Sequence, residues 1–452
     1  MSKKHKSKVR LRQQKVHFAK ASKPITSQAG LIPAFRFLNR LGLSAILDKR
    51  ITIQRGSNAT FQMADVILMV TTGILAGARS LIKVCMVWQD QILRECTRFQ
   101  RIPCDSQFGR ILKLFRFASV VELETAVHEM RGRVWKQALR SGKSTVYALK
   151  RITIDLDSSV KTCFGFQEGA KKGFNEKKRG ALSYHPLLAF CAETKEVLQG
   201  WLRSGDAYTA NGSIEFMKQL LVTLPSHMKI FFRADSGFFG GPLLTYLEDL
   251  GHRYLIKVKL KNLHKLLIPQ DWQPVANRQG WECCEFQHRC GDWHRSRRFV
   301  AVRQIKIKEG KTETVQGELL EPQPEYDYFC YVTTESLTPW ETHKTYGKRA
   351  TCETWIEENK NQTALGQIKT DHFMANSALM QCAILAYNTT RWMALISGNR
   401  QLLKWEPESI RCYMIRVAGK LLTGSRQLTV ASNKEHLYQT EWDAWLELGD
   451  CL

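Results

Sequence analysis

Apolar residues recur at helical spacings through the first third of the chain and at strand spacings through the middle. From Gly30 to about Lys143, Leu31, Phe35, Leu38, Leu41 and Leu47 fall on one helical face. The segments around Val66–Ala78, Ile111–Phe117 and Val121–Leu139 repeat that pattern, and strand signals are scarce. This region is predicted to be all-helical. Val66–Ala78 is the longest apolar run and is closed by Arg79. It is too short for a bilayer span, which takes about 20 residues, and is predicted as a buried core helix.

The pattern changes at Ser144. Residues 144–160 are β-rich, and Leu187 to Gly205 reads as two strands around a turn at Glu193–Glu196. Ser213–Leu224 is an amphipathic helix closed by Pro225. Lys229–Asp235 is a buried-type strand ending in an acid, Pro242–Leu250 a second helix closed by Gly251, and Arg253–Lys259 a further strand. Strands and helices in this order argue for an α/β layered domain. Between about 261 and 335 only strand-like pieces remain (Trp281–Gln287, Phe299–Ile307, Tyr328–Thr333), which predicts a β insertion within the α/β domain. Helices return from Thr342 to about Ser397. The expected organisation is an arm over 1–29, a helical region over 30–143, the α/β domain over 144–400, and a mixed region over 401–452 with no assigned role.

Charge narrows the partner. Lys and Arg number 67 against 42 acids, a formal net charge of +25, and such an excess calls for a polyanion. Nucleic acid leads, since each neutralised phosphate releases counterions. An anionic membrane surface or a ribosomal setting would produce the same balance. Arg36, Arg40, Arg98, Arg101 and Arg110 suit DNA contact by the helical region. The arm carries Lys3, Lys4, Lys6, Lys8, Arg10, Arg12, Lys15, Lys20 and Lys23 with no acid before Asp48. It reads equally as a DNA-tracking arm or a solvated tail. No apolar stretch follows these charges, as a signal peptide would require. Thirteen scattered cysteines without a CxxC pair point to a reduced, intracellular protein. Cys283, Cys284, His288, Cys290 and His294 match no standard zinc spacing and read as packed thiols. Gly142-Lys143-Ser144 lacks the upstream glycine of a phosphate-binding loop, with Gln137 in its place. The run Lys171, Lys172, Lys177, Lys178, Arg179 is either a solvated loop or a DNA-backbone contact.

Three acids stand where a metal site can be built. In Ile152–Ser159, period-two alternation puts Ile152, Ile154 and Leu156 on one side and Thr153, Asp155 and Asp157 on the other. Asp235 ends its strand before Ser236-Gly237, and ligands bind at the carboxyl ends of strands in α/β sheets. Glu353 follows Tyr346 and Arg349 and precedes Lys360. On one continuous helix these four side chains would lie within roughly 60° of each other. By itself such a face reads as readily as solvated surface with i,i+4 ion pairs.

Together these pieces resemble insertion-sequence transposases with a DDE catalytic domain, in the cut-and-paste group marked by Y-x2-R-x3-E-x6-K. Tyr346, Arg349, Glu353 and Lys360 match that signature at every spacing. The blocks DLDSSV, QEGAKKGFN, SYHPLL and FRADSGF also resemble blocks of one branch, and the likeness runs from roughly Leu31 to Arg426. It implies an α/β, ribonuclease H-like catalytic domain with an inserted β subdomain, preceded by an all-α DNA-binding region. Asp157, Asp235 and Glu353 are implied as catalytic metal ligands, with Asp155 the alternative first ligand. Tyr346, Arg349 and Lys360 are implied to contact DNA phosphates. Some relatives carry a base-stacking Trp after the signature Arg; here Ala350 stands there, so either Trp355 or Trp340 serves or the stacking is absent. Carboxylate ligands suit hard cations, so Mg²⁺ is implied, with Mn²⁺ able to substitute. The implied activity is binding of terminal inverted repeats, phosphodiester cleavage and transfer of the 3′-OH into target DNA by two-metal catalysis. The implied partners are double-stranded DNA, both transposon ends and target, and a second copy of the chain in the DNA complex, with no membrane. The implied setting is the bacterial cytoplasm, on the nucleoid when DNA is bound. Another ribonuclease H-like nuclease, or a transposase-derived DNA-binding protein without catalysis, would share these features.

Overall fold

The computed structural model describes residues 17–450 except 98, 145, 176–177, 292, 307–324 and 366–369. The basic arm up to residue 16, Arg98 and Lys177 therefore lie outside the described residues. The apolar run becomes helix α1 (Met63–Leu75), buried along nearly its whole length. A long helix, α2 (Phe117–Arg140), follows and leads into the sheet. Both share one continuous hydrophobic core with the sheet.

Nine strands form one mixed sheet, numbered here in chain order: β1 (Arg151–Ser158), β2 (Leu187–Cys191), β3 (Val197–Trp201), β4 (Lys229–Ala234), β5 (Arg253–Lys257), β6 (Gln273–Pro274), β7 (Trp281–His288), β8 (Arg297–Ile305) and β9 (Tyr326–Thr333). Their spatial order is β6-β7-β8-β9-β5-β4-β1-β2-β3. β1 runs parallel to β4, and β4 to β5, while β1–β2 and β2–β3 are antiparallel. Parallel neighbours need crossovers. Helix α3 (Ser213–Leu221) lies in the segment leading to β4, and α4 (Gly241–Asp249) joins β4 to β5. Ile152, Ile154 and Leu156 are at most 1% exposed, as expected of a central strand.

The described part of the stretch expected as an inserted β subdomain opens, contrary to the expectation of strands alone, on a short helix, Leu263–Leu267, with Leu267 buried; its described strands make no separate sheet. β9 pairs with β5 through Tyr331↔Lys257, Val332↔Ile256 and Thr333↔Leu255, and β6–β8 continue outward from it. Pairing covers the β5 edge, whose N–H and C=O groups would otherwise lie open. Three helices follow, α5 (Pro339–Gly347), α6 (Ala350–Gln362) and α7 (Phe373–Ser397). Helix α7 is buried almost throughout, and its polar side chains close the opposite edge of the sheet. Asn388 accepts from Val197 N and donates to Val197 O, both at 2.8 Å, and Gln381 Nε2 donates to Gly200 O at 2.7 Å.

The mixed region after residue 400 folds back on the beginning of the described chain. Gly419–Thr423 pairs with Ile25–Thr26, and α8 (Gln439–Asp450) packs on the helix Leu31–Arg40, with Trp445 Nε1 donating to Gly30 O at 2.8 Å. Among the described residues, no helix is long and apolar enough to cross a membrane.

The turn acid Glu196 is an interior anchor. It is fully buried, and accepts from Trp135 Nε1 and Trp392 Nε1, each at 2.6 Å, and from Thr194 Oγ1 at 2.8 Å. These bonds join α2, the β2–β3 turn and α7. Glu196→Ala should strand two buried indole N–H groups and destabilise the fold by roughly 3–5 kcal/mol, read as a lower denaturant midpoint. A midpoint unchanged from wild type would show that the helices hold together without this anchor.

Candidate active site

β1 and β4 are adjacent and parallel, with Leu156 beside Ala234. The next residues, Asp157 and Asp235, stand at the carboxyl ends of these two strands, and the Asp235 charge reaches Asp157. Asp235 turns the chain out of β4, its Oδ1 accepting from Gly237 N at 2.9 Å to cap the short helical turn Ser236–Phe238.

Asp155 and Asp157 share a face of β1 but not an environment. Asp155 is wholly buried and held by both oxygens: Arg233 Nε donates to Oδ1 and Nη2 to Oδ2, each at 2.7 Å. Arg233 Nη1 also donates to Thr345 O at 3.0 Å, so one guanidinium ties β1, β4 and α5 together. Asp157, in contrast, accepts one bond among the described residues, from Arg349 Nη2 at 2.7 Å, and keeps lone pairs for another ligand. Burial pushes the Asp157 carboxyl up to about 6 against the opposing pull of Arg349, with a further push from Asp235 and a smaller opposing pull from Lys360.

The four signature residues do not share one helix, which corrects the single-face expectation. Helix α5 ends at Gly347 and α6 begins at Ala350; at the junction Arg349 N bonds Tyr346 O and Cys352 N bonds Arg349 O, both at 2.8 Å. Glycine weakens the helix there, and the buried pull of Asp157 draws Arg349 inward. The Arg349 side chain is 4% exposed; besides Asp157 it donates to Leu156 O at 3.0 Å and lies 3.6 Å from Glu353 Oε1. Its Nε is buried with no partner among the described residues. Tyr346 packs on Tyr331, ring centroids 4.7 Å apart, while Glu353 is 69% exposed in the first turn of α6. All three acids still reach one group. Burial pushes the Tyr346 phenol up to about 12 against Arg349, and Asp235, Glu353 and Asp157 each push it further. Among the described residues, no three His, Cys, Asp or Glu side chains stand close enough to form a metal-holding cluster as placed. The donor chemistry nonetheless suits a hard cation: Arg349 pairs with Asp157 and Glu353 and feels the charge of Asp235, and its single positive charge offsets only one of the three carboxylates.

Compared with known families, residues 8–448 match the model of the transposase DDE domain group 1. The chain belongs to this family. It is therefore a DNA transposase, of a class that works with divalent metal ions. A solved structure of the piggyBac transposase synaptic complex with hairpin DNA is similar at 12% identity over 85% of this chain and 84% of that one, with a TM-score of 0.37. A comparison with curated proteins finds no match.

Two residues around the transposase site went unflagged in the sequence. Arg233 is a charge inside an otherwise apolar strand, and that placement was the available signal of a buried pair. Arg203 is 9% exposed; it donates to Ser158 Oγ at 2.9 Å and to the backbone carbonyls of His185, Tyr208, Thr209 and Asn211. Only the fold brings it beside the first aspartate's strand. Of the two candidate stacking tryptophans, Trp355 is buried against Phe190, and Trp340 is half-buried in a cluster with Trp281 and His343. Cys283 and Cys284 are free thiols on β7, the first half-buried and the second buried, and none of the cysteine–histidine run belongs to a metal-holding cluster among the described residues.

Proposed function

We propose that this transposase binds the terminal inverted repeats of its element as a homodimer, cleaves the phosphodiester there and transfers the freed 3′-OH into target DNA. In this reading residues 144–400 are a ribonuclease H-like core, and the helical region before it contacts DNA. The observation that carries the reading is the pair of acids at the carboxyl ends of two adjacent central parallel strands, with a third acid on the helix linked to them through Arg349.

Bound divalent ions, Mg²⁺ with Mn²⁺ able to replace it, would be held by Asp157, Asp235 and Glu353, and would supply activation of the attacking hydroxyl and stabilisation of the leaving oxygen. The chain's own groups do the rest. Arg349 orients Asp157 by a charge-assisted bond and fixes the strand end through Leu156 O. Its Nη1, beside Glu353, and the half-buried Tyr346 and Lys360 would steady the phosphate next to the cut. The +25 charge draws the duplex in.

Protons compete with a cation for Asp157. Because its carboxyl titrates near 6 rather than in the usual carboxylate range, divalent-ion affinity should fall as pH drops through 6, by about tenfold per unit below it. Calorimetric titration of Mn²⁺ at pH 5, 6 and 7 checks this, and equal affinity at all three would remove Asp157 from the ligand set.

The function itself is tested by incubating the protein and Mg²⁺ with DNA ending in the inverted repeats that flank its gene, plus a target plasmid. Cleaved ends joined to the target are expected. Cleavage without joining would make the protein a nuclease, and binding without cleavage an inactive descendant.

A further inference from the structure

Directly after β1 the chain builds a small three-stranded sheet, Lys161–Thr162, Leu182–Tyr184 and Lys171–Lys172, with the second strand in the middle. Tyr184 of the middle strand is buried, but phenylalanines of the segments that join the strands are on the outside. Phe166 is 100% exposed, Phe164 71% and Phe174 70%, and among them stand exposed Lys172, Lys178 and Arg179, with Lys178 Nζ 5.2 Å from the centre of the Phe164 ring. Single exposed apolar residues are ordinary. Three exposed phenylalanines within eleven positions, in the loops of one small sheet and interleaved with cations, are not.

The backbone beneath them is tightly held, so the exposure does not come from looseness. Asn175 Nδ2 donates to Thr162 Oγ1 at 3.0 Å, and Tyr184 Oη donates to Glu168 O at 2.6 Å. A Cβ on Gly173 would fall 1.8 Å from Gly205 O, so only glycine lets the two segments meet. The far end is fastened to α7, where Phe373 N donates to Glu168 Oε2 at 2.9 Å.

The sheet is also wired to the first catalytic strand. Phe174 O can only accept, so His185 Nε2 carries the proton that reaches it at 3.2 Å. His185 Nδ1 then accepts from Ser158 Oγ at 3.0 Å, and Ser158 Oγ accepts from Arg203 Nη2 at 2.9 Å. Ser158 adjoins Asp157. Two hydrogen bonds therefore separate the Phe174 backbone from the residue next to the reacting centre.

We propose that this sheet is a stacking platform for unpaired bases at the cleaved DNA end, with Phe166 and Phe174 taking base faces and Lys172, Lys178 and Arg179 taking the phosphates. The inference rests on the transposase reading above. Aromatic side chains beside cations are how proteins hold single strands, whereas pairs inside a duplex already have both faces covered by their neighbours, leaving only the outermost pair a free face. Charge complementarity selects DNA as the occupant over a second copy of this chain, which is itself strongly basic.

The test measures binding without metal, by fluorescence anisotropy, of two transposon-end duplexes: one fully paired, and one with its last few base pairs mismatched. Phe166→Ala and Phe174→Ala should each weaken the mismatched end by roughly 5- to 100-fold and the paired end less than twofold, with Phe166→Trp restoring binding. Both positions are exposed, so the variants should fold, and circular dichroism verifies it. Equal losses on both ends, or no loss on either, would overturn the proposal. Unchanged binding with a drop in sedimentation mass would assign the platform to a second copy of this chain and overturn it too. If the wild type binds neither DNA, the transposition reading fails first and takes the platform with it; if the wild type binds both and the phenylalanine variants bind both equally well, the platform alone fails.

Discussion

Asp157→Asn is expected to abolish end cleavage while the protein stays folded, and Asp155→Ala to do the reverse of the second half, lowering stability by roughly 3–5 kcal/mol. The two acids lie two residues apart on one strand, so the contrast isolates environment. Asparagine at 157 still accepts the Arg349 bond at 2.7 Å but removes the charge that would hold a cation. If that charge contributes at least about 4 kcal/mol to the transition state, the rate falls by roughly 10³-fold or more. Asp235→Asn and Glu353→Gln should match it, with end binding largely intact. At 155, alanine leaves the Arg233 guanidinium, 4% exposed, without its carboxylate. Urea unfolding and single-turnover cleavage on the same preparations decide the matter. Normal cleavage by Asp157→Asn, together with a folded but inactive Asp155→Ala, would exchange the two roles.

Arg349→Ala should slow cleavage of a pre-bound end by about 10²-fold or more, because the guanidinium fixes both Asp157 and the carbonyl before it, and a small misplacement of a reacting group costs that much. A structural loss accompanies it, since Asp157, at the edge of the core, would lose its guanidinium partner, and with only the smaller pull of Lys360 left, burial would push its carboxyl further up. Arg349→Lys should rescue stability more than rate. An ammonium can neutralise Asp157, but it lacks the planar fork that holds Asp157 and Leu156 O at once and faces Glu353 with its other arm. Cleavage rate and unfolding midpoint are measured side by side. Wild-type cleavage in both variants would make the junction between α5 and α6 mere packing.

The strands around Asp155–Asp157 and Asp235 were legible because burial leaves a local record. Alternating Ile152, Ile154 and Leu156, and the run Ile230–Phe232, mark central strands whatever surrounds them, and Pro225 and Gly251 mark where helices stop. The hairpin of β2 and β3 was legible for the same reason. The signature spacing was visible too, since it is written within fifteen consecutive positions, and it pointed to the family that the whole-chain match then established.

What lay beyond the sequence was every relation between distant segments. Whether Asp155 or Asp157 is open to a ligand depends on Arg233, 78 positions away, and no period along β1 records that partner. A helical wheel assumes an unbroken helix, so it could not show Arg349 turned inward to Asp157, 192 positions away, while Glu353 faces solvent. The strands of 261–335 were visible as strands, but their union with the central sheet was not, because hydrogen-bonding edges look alike in sequence. The sequence by itself determined which segments are strand or helix and which residues carry charge, since propensity and periodicity are local. Only the tertiary structure decided which charges are spent on one another and which remain for a ligand, because desolvation and pairing are settled by neighbours that the chain brings together from far apart.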